Sequence, residues 1–160
     1  MSCVNCGVVR LATRWTSDGL SMIAVDTSVI VDLLGDDTRA DAAESCLRRA
    51  LSLGPVVTCA VVVSEAVAGL GRGSQLIDTL EEMGVGYSAL ELRASARAGE
   101  MQRRYNERLK AAGRMPQKPR TVPDFLIGAH ALLQCQGLIT RDAGFFRDYF
   151  KGLKVIVPKG

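Results

Sequence analysis

Four carboxylates stand at positions where an acid is costly unless a cation meets it. Each one ends a predicted strand, begins a predicted helix or lies inside an apolar helix: Asp26, Glu65, Asp124 and Asp142. Two carboxylates about 4 Å apart repel by about 4 kcal/mol at an effective dielectric near 20, so a converging set requires protonation or bound cations. Oxygen ligands without histidine or cysteine select the hard ions Mg²⁺ or Mn²⁺. One or two such ions can activate water for hydrolysis of a phosphodiester.

The stretch from Met22 to Leu34 shows how the first of these acids is positioned. Ile23, Ala24 and Val25 form an apolar run without polar alternation, which is typical of a strand buried on both faces. Asp26 follows, and Thr27 and Ser28 can cap the N-terminus of a helix whose apolar residues recur at helical spacing. The acid is therefore expected at the carboxyl end of a strand, the edge at which open parallel sheets bind ligands.

The rest of the chain alternates short apolar runs with amphipathic helices. Predicted helices contain Ala43–Leu51, Val61–Leu70, Ser74–Met83 (with Ser74 as its cap), 91–112, Phe125–Leu133 and Phe145–Tyr149. Predicted strands are Val56–Val57, Val85–Leu90, Gly137–Thr140 and Leu153–Val157. This alternation predicts an α/β fold with a largely parallel sheet covered by helices.

Basic residues lie close to the acids in sequence. The predicted helix 91–112 carries a stripe of four arginines: Arg93, Arg97, Arg104 and Arg108. The stripe leads into a Pro- and Gly-containing loop before Asp124. Charge on one helix face is commonly only a solvated surface, but next to an acidic cluster it favours binding of a phosphate backbone. The side chains expected to contact a phosphate backbone are Arg114, Lys118, Arg120 and Arg141.

Composition limits the class of protein. The chain has 160 residues, 48% of them hydrophobic, and a net charge of +3, which fits one globular domain and permits an acidic partner. No apolar run approaches the roughly 18 residues of a membrane span. The five cysteines are odd in number and scattered, and Cys46, Cys59 and Cys135 fit buried positions, so a reducing, cytoplasmic compartment is expected.

Residues 1–21 lack the patterns of the remainder. Cys3 and Cys6 have the spacing of half a zinc site, but no second pair of ligands completes it. We therefore divide the chain into a poorly patterned extension, 1–21, and a domain, 22–158, that carries the four acids. His130 is the sole histidine, and its helical position turns it away from Asp124, so a structural role is expected.

Four stretches together resemble the PIN-domain ribonucleases, specifically the VapC-type toxins of bacterial toxin–antitoxin pairs. They are Met-Ile-Ala-Val-Asp-Thr-Ser-Val-Ile-Val-Asp-Leu-Leu (22–34), Ser-Glu-Ala-Val-Ala-Gly-Leu (64–70), Pro-Asp-Phe-Leu-Ile-Gly-Ala-His-Ala (123–131) and Leu-Ile-Thr-Arg-Asp-Ala-Gly-Phe-Phe (138–146). Each stretch alone is weak, whereas four in this order and spacing are fairly specific. The resemblance covers 22–158.

The resemblance implies a three-layer α/β/α sandwich with a mostly parallel sheet, and RNA cleavage that depends on Mg²⁺ or Mn²⁺. It also implies a homodimer and a cognate antitoxin. Asp26 and Asp124 match the central metal ligands, and Glu65 and Asp142 match the outer acids. Ser28 and Thr140 match supporting hydroxyls.

Two other classes of function compete with this interpretation. An aspartyl-phosphate phosphatase needs a second acid two residues after the nucleophile, where this chain has Ser28. A non-catalytic nucleic-acid-binding module could use the basic stripe alone, but the four acids would then have no role. Metal-dependent cleavage of RNA separates the three, because a binder leaves RNA intact and a phosphatase releases inorganic phosphate.

Overall fold

A parallel β-sheet covered by helices forms the centre of the molecule. The structure, a computed structural model, describes residues 22–35, 38–113 and 116–159. The strands are β1 (Ile23–Val25), β2 (Val56–Thr58), β3 (Val85–Tyr87), β4 (Gly137–Ile139) and β5 (Val155–Ile156). The helices of the described ranges are α1 (Thr27–Leu34), α2 (Ala40–Leu53), α3 (Ala60–Leu70), α4 (Gly73–Glu82), α5 (Leu92–Ala112), α6 (Val122–Gln134) and α7 (Ala143–Tyr149).

The strand order explains where ligands can bind. The five strands lie in the order β3-β2-β1-β4-β5, and every neighbouring pair is parallel. The chain runs outward from β1 through β2 to β3, then crosses to β4 on the other side of β1. Strand order therefore reverses between β1 and β4, and in open α/β sheets the crevice beyond the carboxyl ends of such strands is the usual ligand site.

Burial of the central strands confirms the predicted α/β architecture. Every residue of β1, β2 and β4 is buried, which requires cover on both faces of the sheet. The core between strands and helices includes Val25, Ile30, Phe125 and Leu138, each exposing 1% or less of its surface. No helix in the described ranges combines the length and apolarity needed to span a membrane.

Most element predictions are confirmed, and several local predictions are wrong. β3 ends at Tyr87 instead of Leu90, because Gln134 of α6 donates to the Ala89 carbonyl and holds this segment in a loop. α4 is capped by Arg72, in a left-handed backbone conformation with φ 55°, so Ser74 lies inside the helix. Leu133, which ends the apolar face predicted for the helix Phe125–Leu133, is 51% exposed.

The predicted structural role of His130 is confirmed. Its side chain is 1% exposed, and its Nε2 lies 3.0 Å from the Ser88 hydroxyl. Burial lowers the pKa of His130 to about 4, so the ring is neutral near pH 7. The expected burial holds fully for Cys59 and in part for Cys46 and Cys135. The extension 1–21, with Cys3 and Cys6, lies outside the described residues.

Candidate active site at the carboxyl edge of the sheet

The predicted acids are brought to one edge of the molecule. Asp26 directly follows β1, and Asp142 caps the N-terminus of α7 after β4. The two strands are paired, with Val25 beside Ile139, and the Asp26 amide donates to the Ile139 carbonyl at 2.9 Å. Asp26 and Asp142 therefore both lie at the carboxyl edge of the sheet, where the strand order reverses.

Asp26 is a buried carboxylate held by hydroxyl groups. It is 7% exposed, and the Thr140 hydroxyl donates to its Oδ2 at 2.6 Å. The Ser28 hydroxyl donates to the same oxygen at 2.8 Å. Both predicted supporting hydroxyls thus contact Asp26, and together they fix the orientation of its carboxylate.

The surroundings of Asp26 disfavour its charged form. Burial raises the pKa of this carboxyl above its ordinary value. Hydrogen bonds from Thr140, Ser28 and the Thr27 backbone lower it in part, and the neighbouring charge of Asp124 raises it further. Among the described residues no cationic side chain pairs with Asp26. A buried carboxylate without a cationic partner is the kind of group that a metal ion stabilises.

Glu65 reaches the site through a residue without a predicted site role. The Thr27 hydroxyl donates to Glu65 Oε2 at 2.6 Å, joining α1 to α3 beside Asp26. From the sequence Thr27 or Ser28 was expected to cap α1, but Asp26 occupies the N-cap position. The apolar sequence around Glu65 indicated a partly buried acid, and its half-buried position agrees with that.

Asp124 is fixed by the first turn of α6. It is the third residue of the helix, and its Oδ2 accepts the Thr121 backbone amide at 2.8 Å, as in a capping box. The predicted helix start after Pro123 moves only slightly, to Val122. The carboxylate is about a third exposed, so it faces the solvent side of the site.

Arg120 bridges two of the acids. Its Nη1 lies 3.6 Å from Asp124 Oδ1 and also forms an ion pair with Asp142 Oδ2. The guanidinium lies over the Phe145 ring, 4.4 Å from the centroid. Arg120 was expected to contact RNA, and the structure places it inside the acidic site.

The four acids offer only oxygen donors to a divalent cation. Within the described ranges no three acids, histidines or cysteines stand close enough to hold a metal as the side chains are placed. The acids share an edge without forming a closed cage, and Arg120 occupies the space between two of them. The set still fits Mg²⁺ or Mn²⁺, because it offers only oxygens and includes the uncompensated Asp26. Asp26, Asp124, Glu65 and Asp142 are the residues that could hold such an ion.

The Arg141 side chain, 21% exposed, is bound to a buried carboxylate. Its Nε donates to Asp32 Oδ2 at 2.7 Å, and its two terminal nitrogens donate to the carbonyls of Pro158 and Arg39. Asp32 is 2% exposed and also pairs with Arg39 at 3.5 Å. The Arg141 backbone amide donates to the Ser28 hydroxyl, so this network braces the loop that carries Thr140 and Asp142. A carboxylate between the apolar residues of α1 was the available signal for Asp32.

The other predicted basic residues are mostly exposed where the structure describes them. Arg114 lies outside the described residues, and Lys118 is exposed in the loop before α6. In the stripe, Arg93, Arg104 and Arg108 are exposed, whereas Arg97 is half-buried and pairs with Glu100. The Arg108 guanidinium lies 5.1 Å from the centroid of Tyr149, whose ring neighbours that of Phe145. The aromatic cluster thus connects one end of the stripe with the acids.

Comparisons with known proteins agree with this fold. A family model described as PIN domain matches residues 23–151. No curated protein sequence matches significantly.

Three solved structures share the fold. VapBC2 from Rickettsia felis, bound to a promoter DNA fragment, has a TM-score of 0.60 at 15% identity, over 86% of this chain and 99% of that chain. VapBC-1 from nontypeable Haemophilus influenzae has a TM-score of 0.58 at 19% identity, over 85% of this chain and 97% of that chain. Mycobacterium tuberculosis VapC20, described as a Sarcin-Ricin loop cleaving toxin, has a TM-score of 0.56 at 19% identity, over 82% of this chain and 98% of that chain.

Proposed function

The chain belongs to the PIN domain family, and from this membership we propose that it is a metal-dependent endoribonuclease acting as the toxin of a toxin–antitoxin pair. The single observation that carries the proposal is Asp26. It is a buried carboxylate, oriented by two hydroxyls, without a cationic partner among the described residues, and it stands where the strand order reverses. A protein that only binds nucleic acid would have no need of such a carboxylate.

The proposed roles follow from placement. Asp26 and Asp124 would be the central metal ligands, and Glu65 and Asp142 the outer acids, acting directly or through water. When bound, Mg²⁺ or Mn²⁺ supplies an activated water and stabilises charge on the leaving oxygen of the phosphodiester.

Hydroxyl groups orient the acids, and basic residues around them hold the substrate. Thr140 and Ser28 hold the Asp26 carboxylate, so it need not reorient when the ion or substrate arrives. Thr27 does the same for Glu65. Lys118, Arg114 and the stripe on α5 would hold the phosphates on either side of the scissile bond.

The substrate class and partners are proposed from the structural relatives. One relative is described as a Sarcin-Ricin loop cleaving toxin, and others were solved as toxin–antitoxin complexes. We therefore assign RNA as the substrate, a cognate antitoxin and a second copy of the chain as protein partners, and the cytoplasm as the compartment. Because single-stranded loops expose base edges, they are the RNA elements best suited to specific recognition.

A cleavage assay with matched variants tests the function. EDTA-treated protein is mixed with total RNA while Mn²⁺ or Mg²⁺ is titrated. We expect cleavage only with metal, and a loss of at least about a hundredfold in Asp26→Asn and Asp124→Asn, since both changes are nearly isosteric. Asp78→Asn, an exposed acid on α4, is the control and should cut like the wild type.

Two outcomes would contradict the proposal. Cleavage that persists in EDTA, or native cleavage by Asp26→Asn, would remove the metal site. RNA that is bound but never cut would favour the binding-module alternative. Induction in bacteria gives an independent readout: the wild type should arrest growth, and Asp26→Asn should not. If the protein cuts RNA in vitro but does not arrest growth, the nuclease assignment stands and the toxin assignment is contradicted.

A further inference from the structure

Arg120 occupies a position that its expected role at the RNA does not explain. Its guanidinium pairs with both Asp124 and Asp142, whereas Asp26 pairs with no cation among the described residues. The positive charge in the site is therefore distributed unequally. The two more exposed acids are compensated by the chain itself, and the most buried one is left uncompensated.

Two contacts hold Arg120 at this place. Its backbone amide donates to the Tyr105 hydroxyl at 3.0 Å, which fixes the main chain against α5. Its guanidinium lies over the Phe145 ring. The side chain is still 29% exposed, so it is not enclosed by the core. The anchored main chain and the open side chain allow the guanidinium to leave the acids without disturbing the fold.

We propose that Arg120 is an internal counter-ion that competes with the divalent metal for Asp124 and Asp142, so that metal binding must displace its guanidinium. The inference rests on the proposed function, because it concerns the metal of that same site. It predicts that the wild-type chain binds metal more weakly than its four acids alone would allow.

Elementary electrostatics supports the competition. An arginine and a divalent cation cannot both neutralise the same carboxylate oxygens, and their like charges repel at close range. Each ion pair with Arg120 that is broken subtracts from the free energy of metal binding. The displaced guanidinium would remain next to the site, above the aromatic rings, where an RNA phosphate could receive it.

The test measures binding of the metal alone, without RNA. EDTA-stripped protein is titrated with Mn²⁺ by calorimetry, and the melting temperature is followed in parallel. Arg120→Gln and Arg120→Ala remove the charge, and Arg120→Lys keeps it. Arg108→Gln is the matched control, because that guanidinium also lies over a ring of the same aromatic cluster.

We expect the two neutral variants to bind Mn²⁺ about tenfold more tightly than the wild type, since two part-exposed ion pairs no longer compete. Arg120→Lys and Arg108→Gln should stay within about threefold of the wild type. Without metal, the neutral variants should melt at the same or a lower temperature, and their shift with Mn²⁺ should be larger. A merely structural role would lower the melting temperature and leave the dissociation constant unchanged.

The possible results separate the inference from the function beneath it. Wild-type binding of Mn²⁺ with no tighter binding in either neutral variant overturns the inference and leaves the nuclease proposal standing. Weaker binding in those variants also overturns it, and makes Arg120 a support of the metal site. Absence of any Mn²⁺ binding in all proteins removes the proposed metal site itself. Two neutral substitutions guard against one of them failing to fold.

Discussion

At the scale of single residues, hydroxyl groups organise the acids. Thr140 donates to Asp26 and accepts the backbone amide of Asp142, so one buried hydroxyl connects the ends of two neighbouring strands. Thr27 and Ser28 serve Glu65 and Asp26 in the same way. Such contacts fix carboxylate orientation at little cost, because a hydroxyl can turn to suit its partner.

The Arg141 side chain gives a prediction about stability rather than binding. Arg141→Gln leaves the buried Asp32 with only the partly exposed Arg39, so the free energy of unfolding should fall by about 2–3 kcal/mol. Urea denaturation measures this. Arg147→Gln, an exposed arginine on α7, is the control and should change stability by less than about 0.5 kcal/mol.

RNA binding decides whether Arg141 also contacts substrate. Its interior placement predicts an unchanged salt dependence of RNA affinity in Arg141→Gln. Unchanged stability together with a salt slope reduced by about one would instead identify a phosphate contact.

His130 makes the fold sensitive to acid. Its folded pKa is about 4 and the ordinary value is 6.5, so between these values the unfolded chain binds more protons than the folded chain. Stability from this residue is therefore present above about pH 6.5 and is lost as the pH falls toward 4, by up to about 3 kcal/mol. Urea unfolding of wild type and His130→Gln across this range measures the difference. Parallel stability curves would show that His130 does not titrate as described.

At the scale of elements, α6 carries both site and core. Its first turn holds Asp124, while Phe125 on the same turn packs against the rings of Tyr105, Phe145 and Phe150. α5 lies alongside and buries Ala94, Ala98, Met101 and Tyr105 against the core. The position of Asp124 therefore depends on how closely α6 packs on the aromatic cluster.

Glycine substitutions on these two helices test that packing. A Cβ added at Gly128 of α6 would lie 2.4 Å from the Phe150 ring, and that ring is 1% exposed and enclosed by Phe125, Phe145 and Phe146. Gly128→Ala should therefore lower the free energy of unfolding by about 2 kcal/mol. Gly99→Ala on α5 has nothing within 4 Å and should raise it by up to about 1 kcal/mol. Urea denaturation of both variants gives the signs, and equal signs would contradict this account of α6.

At the scale of the whole molecule, the order of strands creates the site. β1 lies at the centre of the sheet, with β2 and β3 on one side and β4 and β5 on the other. Because the crossover to β4 reverses the direction of winding, helices on the two sides diverge and leave a crevice beyond β1 and β4. Asp26 and Asp142 are the residues that the chain places there.

The extension provides a prediction at this scale. The family match begins at Ile23, and β1 begins at the same residue. A chain starting at Met22 should therefore unfold cooperatively within about 2 °C of the full chain and cut RNA at the same rate. Thermal denaturation and the cleavage assay measure this. A lower melting temperature or slower cleavage on truncation would show that residues 1–21 contribute to stability or to activity.

The sequence by itself determined the elements and the acids at their ends. Apolar runs predict buried strands, helical spacing predicts the helices, and Pro123 marks the start of α6. These signals are local, because backbone conformation and capping depend mainly on residues within one turn or strand. That is why the positions of Asp26, Asp124 and Asp142 could be predicted, and why the parallel sheet followed from the alternation.

Only the tertiary structure decided which charged groups meet. Arg120 and Arg141 looked alike in the sequence, but one bridges Asp124 and Asp142 and the other braces the buried Asp32. The Arg141–Asp32 contact spans 109 residues and the Thr140–Asp26 contact 114. Such contacts depend on strand order and on the crossing of helices, which no local pattern encodes. The physical difference is that backbone conformation depends on neighbouring residues in the sequence, whereas the partner of a charged side chain depends on which groups the fold brings within a few ångströms.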